Sequence, residues 1–309
     1  MKRLIGALVV LIVISLFLPA CHPEEKNDQL HIVVTYSILG SLVKEIVGDD
    51  VRVSVSVPNG TDPHEWEPSA RDIEDINRAD LIIRNGLGLE GGLEKTIAEA
   101  ERRGVKLFTA TDHIDIRYLG VDEGDHHHDH GVDDHDHWLG GAPDPHFWTD
   151  PLAMKMVIAA LAAELNDNFG LDVGDRAEKL TTRLDALDNT ISIELASIPE
   201  GGRKLVTGHE SLGYFARRYD FRLIGAVIPN LTSQAEVSAA DIAALKQLII
   251  ENRVEVVFTE LGTSAAIAAT VSRETNACLI EINTHLLPAD GSYFSLMTEL
   301  ARTIGEALK

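Results

Sequence analysis

His31-Ile-Val-Val-Thr-Tyr-Ser-Ile-Leu-Gly-Ser-Leu42 passes from a β-branched apolar run into residues spaced as a helix, and Lys204-Leu-Val-Thr-Gly-His-Glu-Ser-Leu-Gly-Tyr214 repeats the phrase in the second half of the chain. An apolar strand followed by apolar residues at steps of three or four, here Ile38, Leu42 and Ile46, is the signature of a β-α unit. Further strand-like runs follow each copy: Val51–Val57, Asp80–Arg84 and Val105–Phe108 after the first, Arg222–Val227, Val254–Phe258 and Cys278–Ile282 after the second. Helical periodicity such as Ile242, Leu245 and Ile249 lies between them. The pattern predicts an α/β fold of two similar lobes, each a parallel sheet of about four strands flanked by helices. Two more correspondences, in the same order, support duplication: Glu67-Pro-Ser-Ala-Arg-Asp-Ile73 with Glu236-Val-Ser-Ala-Ala-Asp-Ile242, and Ala79–Gly86 with Val254–Leu261.

Between the lobes, Leu180, Leu184, Leu187, Ile191 and Leu195 form one apolar stripe from Asp175 to Ser197, closed by Pro199 and Gly201-Gly202. That predicts a single long helix joining the lobes as a stiff strut. At the start of the chain, Lys2-Arg3, an apolar run from Leu4 to Leu18 and Leu18-Pro19-Ala20-Cys21 read as a secretion signal. The run falls short of the roughly 20 residues that span a bilayer. The expected division is a signal peptide over 1–20, an N-terminal lobe over 21–170, a linker helix over 171–199 and a C-terminal lobe over 200–309. The pattern around Cys21 resembles a bacterial lipobox, which implies lipidation of Cys21 and attachment to the outer side of the cell membrane.

Cys278 is the other cysteine of two, so with Cys21 acylated no internal disulfide forms and stability rests on apolar packing. The composition, 45% hydrophobic with 5% aromatic residues, suits aliphatic α/β cores. A net charge of −22 excludes nucleic acid as a partner and favours cations.

Four histidines stand at or just beyond predicted strand ends, the edge at which open α/β sheets bind ligands: His64, His146, His209 and His285. Two share the phrase Asp-Pro-His-x-Trp, in Asp62–Trp66 and Asp144–Trp148, where proline stiffens the chain, imidazole offers a borderline-soft nitrogen and an indole shields the site from water. A single such histidine is ordinarily structural; four together point to a metal. A second concentration, Asp125 to His137, interleaves aspartates with His126, His127, His128, His130, His135 and His137 without apolar periodicity. It reads as a loop that captures metal weakly.

With these motifs the chain resembles the cluster A-I substrate-binding proteins of zinc and manganese ABC importers, and within them the zinc-uptake proteins. The resemblance implies that His64, His146 and His209 are metal ligands and that an ABC permease and its ATPase are partners, with the chain acting as a monomer. The fourth position, usually aspartate in that family, is filled here by His285, with Asp290, Asn283 and Glu260 as alternatives. Zinc members of the family carry a histidine-rich loop and manganese members generally lack it. An imidazole-rich set also suits Zn2+ over Mn2+. A manganese-specific protein remains the alternative, followed by an adhesin or a zinc metalloenzyme. For the last, Glu65 and Glu210 would be bases, yet the chain has no His-Glu-x-x-His segment and a fourth ligand would close the open position catalysis needs.

Overall fold

The computed structural model describes residues 29–119 and 141–309. Cys21 and the histidines from His126 to His137 lie outside the described residues. Among the described residues, the first lobe orders β1 (His31–Tyr36), α1 (Ser37–Val47), β2 (Arg52–Val57), α2 (Ala70–Asn77), β3 (Leu81–Arg84), α3 (Glu94–Arg102) and β4 (Lys106–Thr109). Its strands pair in the order β2-β1-β3-β4, all parallel. Then come α4 (Pro151–Phe169) and α5 (Gly174–Leu195), and the second lobe follows with β5 (Lys204–Thr207), α6 (Gly213–Arg218), β6 (Arg222–Ala226), α7 (Ala239–Asn252), β7 (Val256–Thr259), α8 (Ala265–Thr275), β8 (Cys278–Glu281) and α9 (Tyr293–Ala307). Here the strands form two parallel pairs, β5-β6 and β7-β8, with β5 beside β7.

The repeat holds where its chemistry is local. Ser69 and Ser238 each cap a helix by accepting from the backbone N–H three residues on, while Asp72 and Asp241 return the bond, so both copies start their helices with the same capping box. The opening phrase diverges. After β1 the helix α1 begins at once, whereas after β5 residues 208–212 form a loop before the short α6, and that loop carries His209.

The 22 residues of α5 span roughly 33 Å at 1.5 Å per residue. Its stripe of Leu180, Leu184, Leu187, Ile191 and Leu195 is buried, and it packs on α1 and α4 from one side and on α9 from the other. Polar ties reinforce both ends. Arg176 donates to the carbonyls of Ile46 (2.6 Å) and Val47 (3.1 Å), satisfying acceptors that the C-terminus of α1 leaves without a partner in the helix. Asp188 accepts from Arg218 Nε at 2.7 Å and from the Tyr219 hydroxyl at 3.2 Å, holding α6. The lobes are not separately cored: one apolar cluster runs from Ile32 and Leu42 through Leu161 and Leu184 to Phe215, Phe258 and Leu300. A smaller cluster, including Val206, Leu245 and Val271, lies within the second lobe. No helix among the described residues is long and apolar enough to cross a membrane.

Candidate metal centre

Parallel strands place their C-terminal ends along one edge, and the loops leaving those ends meet between the lobes. His64 comes from the loop after β2, His146 from the segment entering α4, His209 from the loop after β5 and His285 from the segment after β8. One ring nitrogen from each of the four lies within 4.8 Å of the others. All four are buried, His64 at 8% exposure being the most open and His285 at 4% next.

Both Asp-Pro-His phrases fold alike. Asp62 Oδ1 accepts the His64 backbone N–H at 2.9 Å, and Asp144 Oδ1 accepts that of His146 at 2.9 Å, each closing an Asx turn that aims the ring inward. Asp144 Oδ1 also accepts a hydrogen bond from His146 Nδ1–H at 2.8 Å, while Arg117 donates to its other oxygen at 3.0 Å. The His146 tautomer is thereby fixed, leaving an Nε2 lone pair in the site. His285 is oriented by Thr284, whose hydroxyl lies 2.6 Å from its Nδ1 and itself donates to Glu260. His285 Nε2 is buried with no hydrogen-bond partner. His209 Nδ1 sits 3.1 Å from Glu260 Oε1, an ion-pair contact without good hydrogen-bond alignment.

His146 Nε2 is 3.1 Å from His64 Nε2 and 3.2 Å from His209 Nε2. Such a junction is tolerable only with a proton or a metal cation to separate the lone pairs. Burial, then the neighbouring rings, lowers His64 to about 2. Burial, then His209, holds His146 well below its ordinary value. His285 falls to about 4 for the same two reasons. His209 goes the other way, because Glu260 outweighs its burial. Glu260 is correspondingly held below the carboxylate range: burial would raise it, and His209 overcomes that. Without metal, burial and the neighbouring rings thus favour the neutral forms of His64, His146 and His285, while Glu260 favours a proton on His209.

The indole of Trp148 stands 5.2 Å from the His146 ring and 5.4 Å from that of His285, and its Nε1–H donates to Thr284 O at 2.8 Å, so it both excludes water and joins the lobes. Trp66 of the matching phrase is only partly buried at the edge of the core. Three further bonds close the mouth: Asn59 exchanges two hydrogen bonds with the Leu287 backbone at 2.8 and 2.7 Å, and the Ser233 hydroxyl donates to Asp62 Oδ2 at 2.6 Å. Gly262, at φ +85°, is required here, since a Cβ would stand 2.6 Å from Asp62 Oδ2.

The alternatives for the fourth position lie elsewhere. Asp290 is exposed and accepts from Ser292 N and Ser295 Oγ at the start of α9. Asn283 exchanges bonds with the Leu286 backbone, shaping a turn. Glu260 is behind the ring of His209 rather than beside the converging nitrogens. Glu65 is exposed, and Glu210, raised by burial, is outside the four-nitrogen cluster. Sequence reasoning missed Asp62, Asp144 and Thr284 as orienting groups; an aspartate two residues before the histidine in both phrases was the available signal for the first two.

The profile of the family described as zinc-uptake complex component A, periplasmic, matches residues 32–307. Zinc-binding lipoprotein AdcA of Streptococcus pneumoniae is 30% identical over 269 residues, covering 84% of this chain and 51% of AdcA, so the chain spans about half the length of that relative. Manganese ABC transporter substrate-binding lipoprotein PsaA of the same organism is 28% identical, covering 100% of this chain and 99% of PsaA. Among solved structures, the periplasmic zinc binding protein TroA from Treponema pallidum matches with a TM-score of 0.73 at 24% identity, over 91% of this chain and 99% of that one. A manganese-bound periplasmic metal binding protein from Candidatus Liberibacter asiaticus matches with a TM-score of 0.75 at 22% identity, over 91% and 100%. At these identities the structures show the fold, two lobes of helix-flanked parallel sheet. The chain belongs to the family of the periplasmic zinc-uptake component A, the substrate-binding proteins of metal ABC transporters, which are not enzymes.

Proposed function

We propose that this protein captures Zn2+ outside the cytoplasm with His64, His146, His209 and His285 and delivers it to an ABC permease driven by its ATPase. The observation that carries this reading is the donor set: four buried imidazoles whose nitrogens converge, with no carboxylate oxygen among them. Borderline-soft nitrogen suits zinc, whereas manganese prefers oxygen-rich sites. Zinc-binding AdcA is consistent with it. Manganese is the second reading, because the relatives that align with the whole chain include PsaA, a manganese protein. Cys21 anchors the protein to the membrane through lipid, a role supported by the leader sequence and by the lipoprotein names of both relatives. The six histidines between residues 125 and 137 bind metal weakly and feed the site.

The test is a chelator-competition titration of the protein with zinc and with manganese, with and without residues 125–137 and with His285→Ala. One tight zinc per chain that survives loop deletion, far weaker manganese, and a large loss in His285→Ala are expected. Tight manganese, or no loss without His285, would overturn the assignment of both the fourth ligand and the metal.

A further inference from the structure

Glu260 follows β7 and is buried at 4% exposure, and it touches every loop that carries a second-lobe histidine. Toward the loop after β5, its Oε1 lies 3.1 Å from His209 Nδ1 and accepts the His209 backbone N–H at 3.2 Å, while the Ser211 hydroxyl approaches Oε1 at 2.7 Å and Oε2 at 2.9 Å. Toward the segment after β8, Oε2 accepts the Thr284 hydroxyl, whose oxygen faces His285 Nδ1 at 2.6 Å. One carboxylate therefore stands behind two imidazoles, directly for one and through a hydroxyl for the other. The two rings it serves lie nearly parallel, 5.5 Å apart at 27°. The loop is built around it: a Cβ on Gly208 would come within 2.9 Å of Glu260 Cγ and 2.0 Å of Thr263 Oγ1.

The first lobe is supported differently. His146 has Asp144, whose charge Arg117 shares, and the His64 ring makes no hydrogen bond at Nδ1 among the described residues. Support from behind the ligands is thus concentrated on the second lobe.

We infer that Glu260 is a positioning residue that holds His209 and His285 as a preformed pair and tunes their metal affinity through Thr284 and His209 Nδ1. The inference rests on the four-histidine reading above. A carboxylate behind a ligating imidazole fixes its tautomer and raises its donor strength, and losing such a partner typically weakens metal binding about 10–100-fold. The full negative charge behind the two rings also offsets the charge of an arriving dication without contacting it.

The experiment uses the full chain. Glu260→Gln keeps the shape and removes the charge, so zinc affinity in chelator competition falls about 10–100-fold, and the visible absorption bands of the cobalt-loaded protein shift because the ligand field of two rings changes. Thr284→Val, which cuts only the relay to His285, loses less; Thr284→Ser, which keeps the hydroxyl, restores the wild-type affinity and spectrum. A Glu260→Gln protein with wild-type affinity and an unchanged cobalt spectrum overturns the inference. If Glu260→Gln does not fold, the Thr284 pair decides: Val weakened and Ser restored supports the relay, and equal behaviour refutes it. Failure of the four-histidine reading itself is separate, since His285→Ala would then bind zinc as tightly as the unmutated protein.

Discussion

Lowering the pH should weaken zinc binding by one power of ten per unit between about pH 6.5 and 5, and no more steeply. A ring must be unprotonated to ligate, so each protonated ligand adds one unit to the slope of log affinity against pH. Four histidines with the ordinary value of 6.5 would together approach a slope of four as the pH falls below it. Here burial and neighbouring rings keep His64 neutral to about 2 and His285 to about 4, and hold His146 far below its ordinary value. His209 alone is raised, by Glu260, so one proton is displaced per zinc. A slope of one is about 1.4 kcal/mol per pH unit; below about 4 the slope steepens as His285 joins. The assay is chelator competition at half-unit steps, with calorimetry in two buffers of different ionisation enthalpy to count released protons. A slope of three or more would mean that the metal-free rings titrate as solvated groups and the site is open. A slope of zero would mean that Glu260 does not hold a proton on His209.

Other perturbations act on single links of the site. His285→Asp replaces an imidazole nitrogen with carboxylate oxygen, so zinc affinity falls and the ratio of manganese to zinc binding rises in the same competition assay. Trp148→Phe leaves the Thr284 carbonyl without its 2.8 Å donor, and urea unfolding should show a loss of about 1–3 kcal/mol. His285→Phe removes a ring that the folded protein keeps neutral down to about 4 while the unfolded chain protonates it at 6.5. The unfolded state binds the extra proton, so wild-type stability falls between those values as pH drops and the variant escapes that loss. The stability difference between them should move by about 3 kcal/mol in favour of the variant from pH 7 to pH 4, read by thermal unfolding with chelator present.

Elements governed by neighbours in sequence were legible before the structure. Among the described residues, all eight strand positions and the long helix follow from apolar period, and the four converging histidines from their places at or beyond predicted strand ends. What composition could not show is set by contacts between distant segments. Glu260 works through Thr284 and Ser211, 24 and 49 residues away, and nothing in its own sequence neighbourhood distinguishes a ligand from a support for ligands. The shared core was hidden for the same reason, since the apolar stripe of α5 announces a buried face without saying that helices of both lobes cover it. The second-lobe strands carry the same alternation as the first, yet their pairing into β5-β6 and β7-β8 depends on how the pairs meet, which strand-by-strand periodicity does not encode.

The shared core also constrains how metal leaves. Opening the lobes widely would pull α5 from α1 or from α9 and expose residues such as Leu184, Leu187 and Ile191, at about 25 cal/mol for each Å2 of apolar surface uncovered. The mouth, by contrast, is closed by a few polar contacts: the Asn59 pair with Leu287, Ser233 with Asp62, and the Trp148 indole with Thr284. At about 1 kcal/mol net per hydrogen bond, these are the weaker barrier. Release should therefore proceed by displacement of the segments carrying His64 and His285, with the lobes only tilting. Asn59→Ala, which deletes two of the closing bonds, about 2 kcal/mol, should raise the zinc dissociation rate about thirtyfold while leaving the radius of gyration unchanged. Small-angle scattering with and without zinc checks the premise directly: near-superimposable curves are expected, and a large compaction on adding zinc would mean that the core parts between the lobes and that the long helix is a hinge.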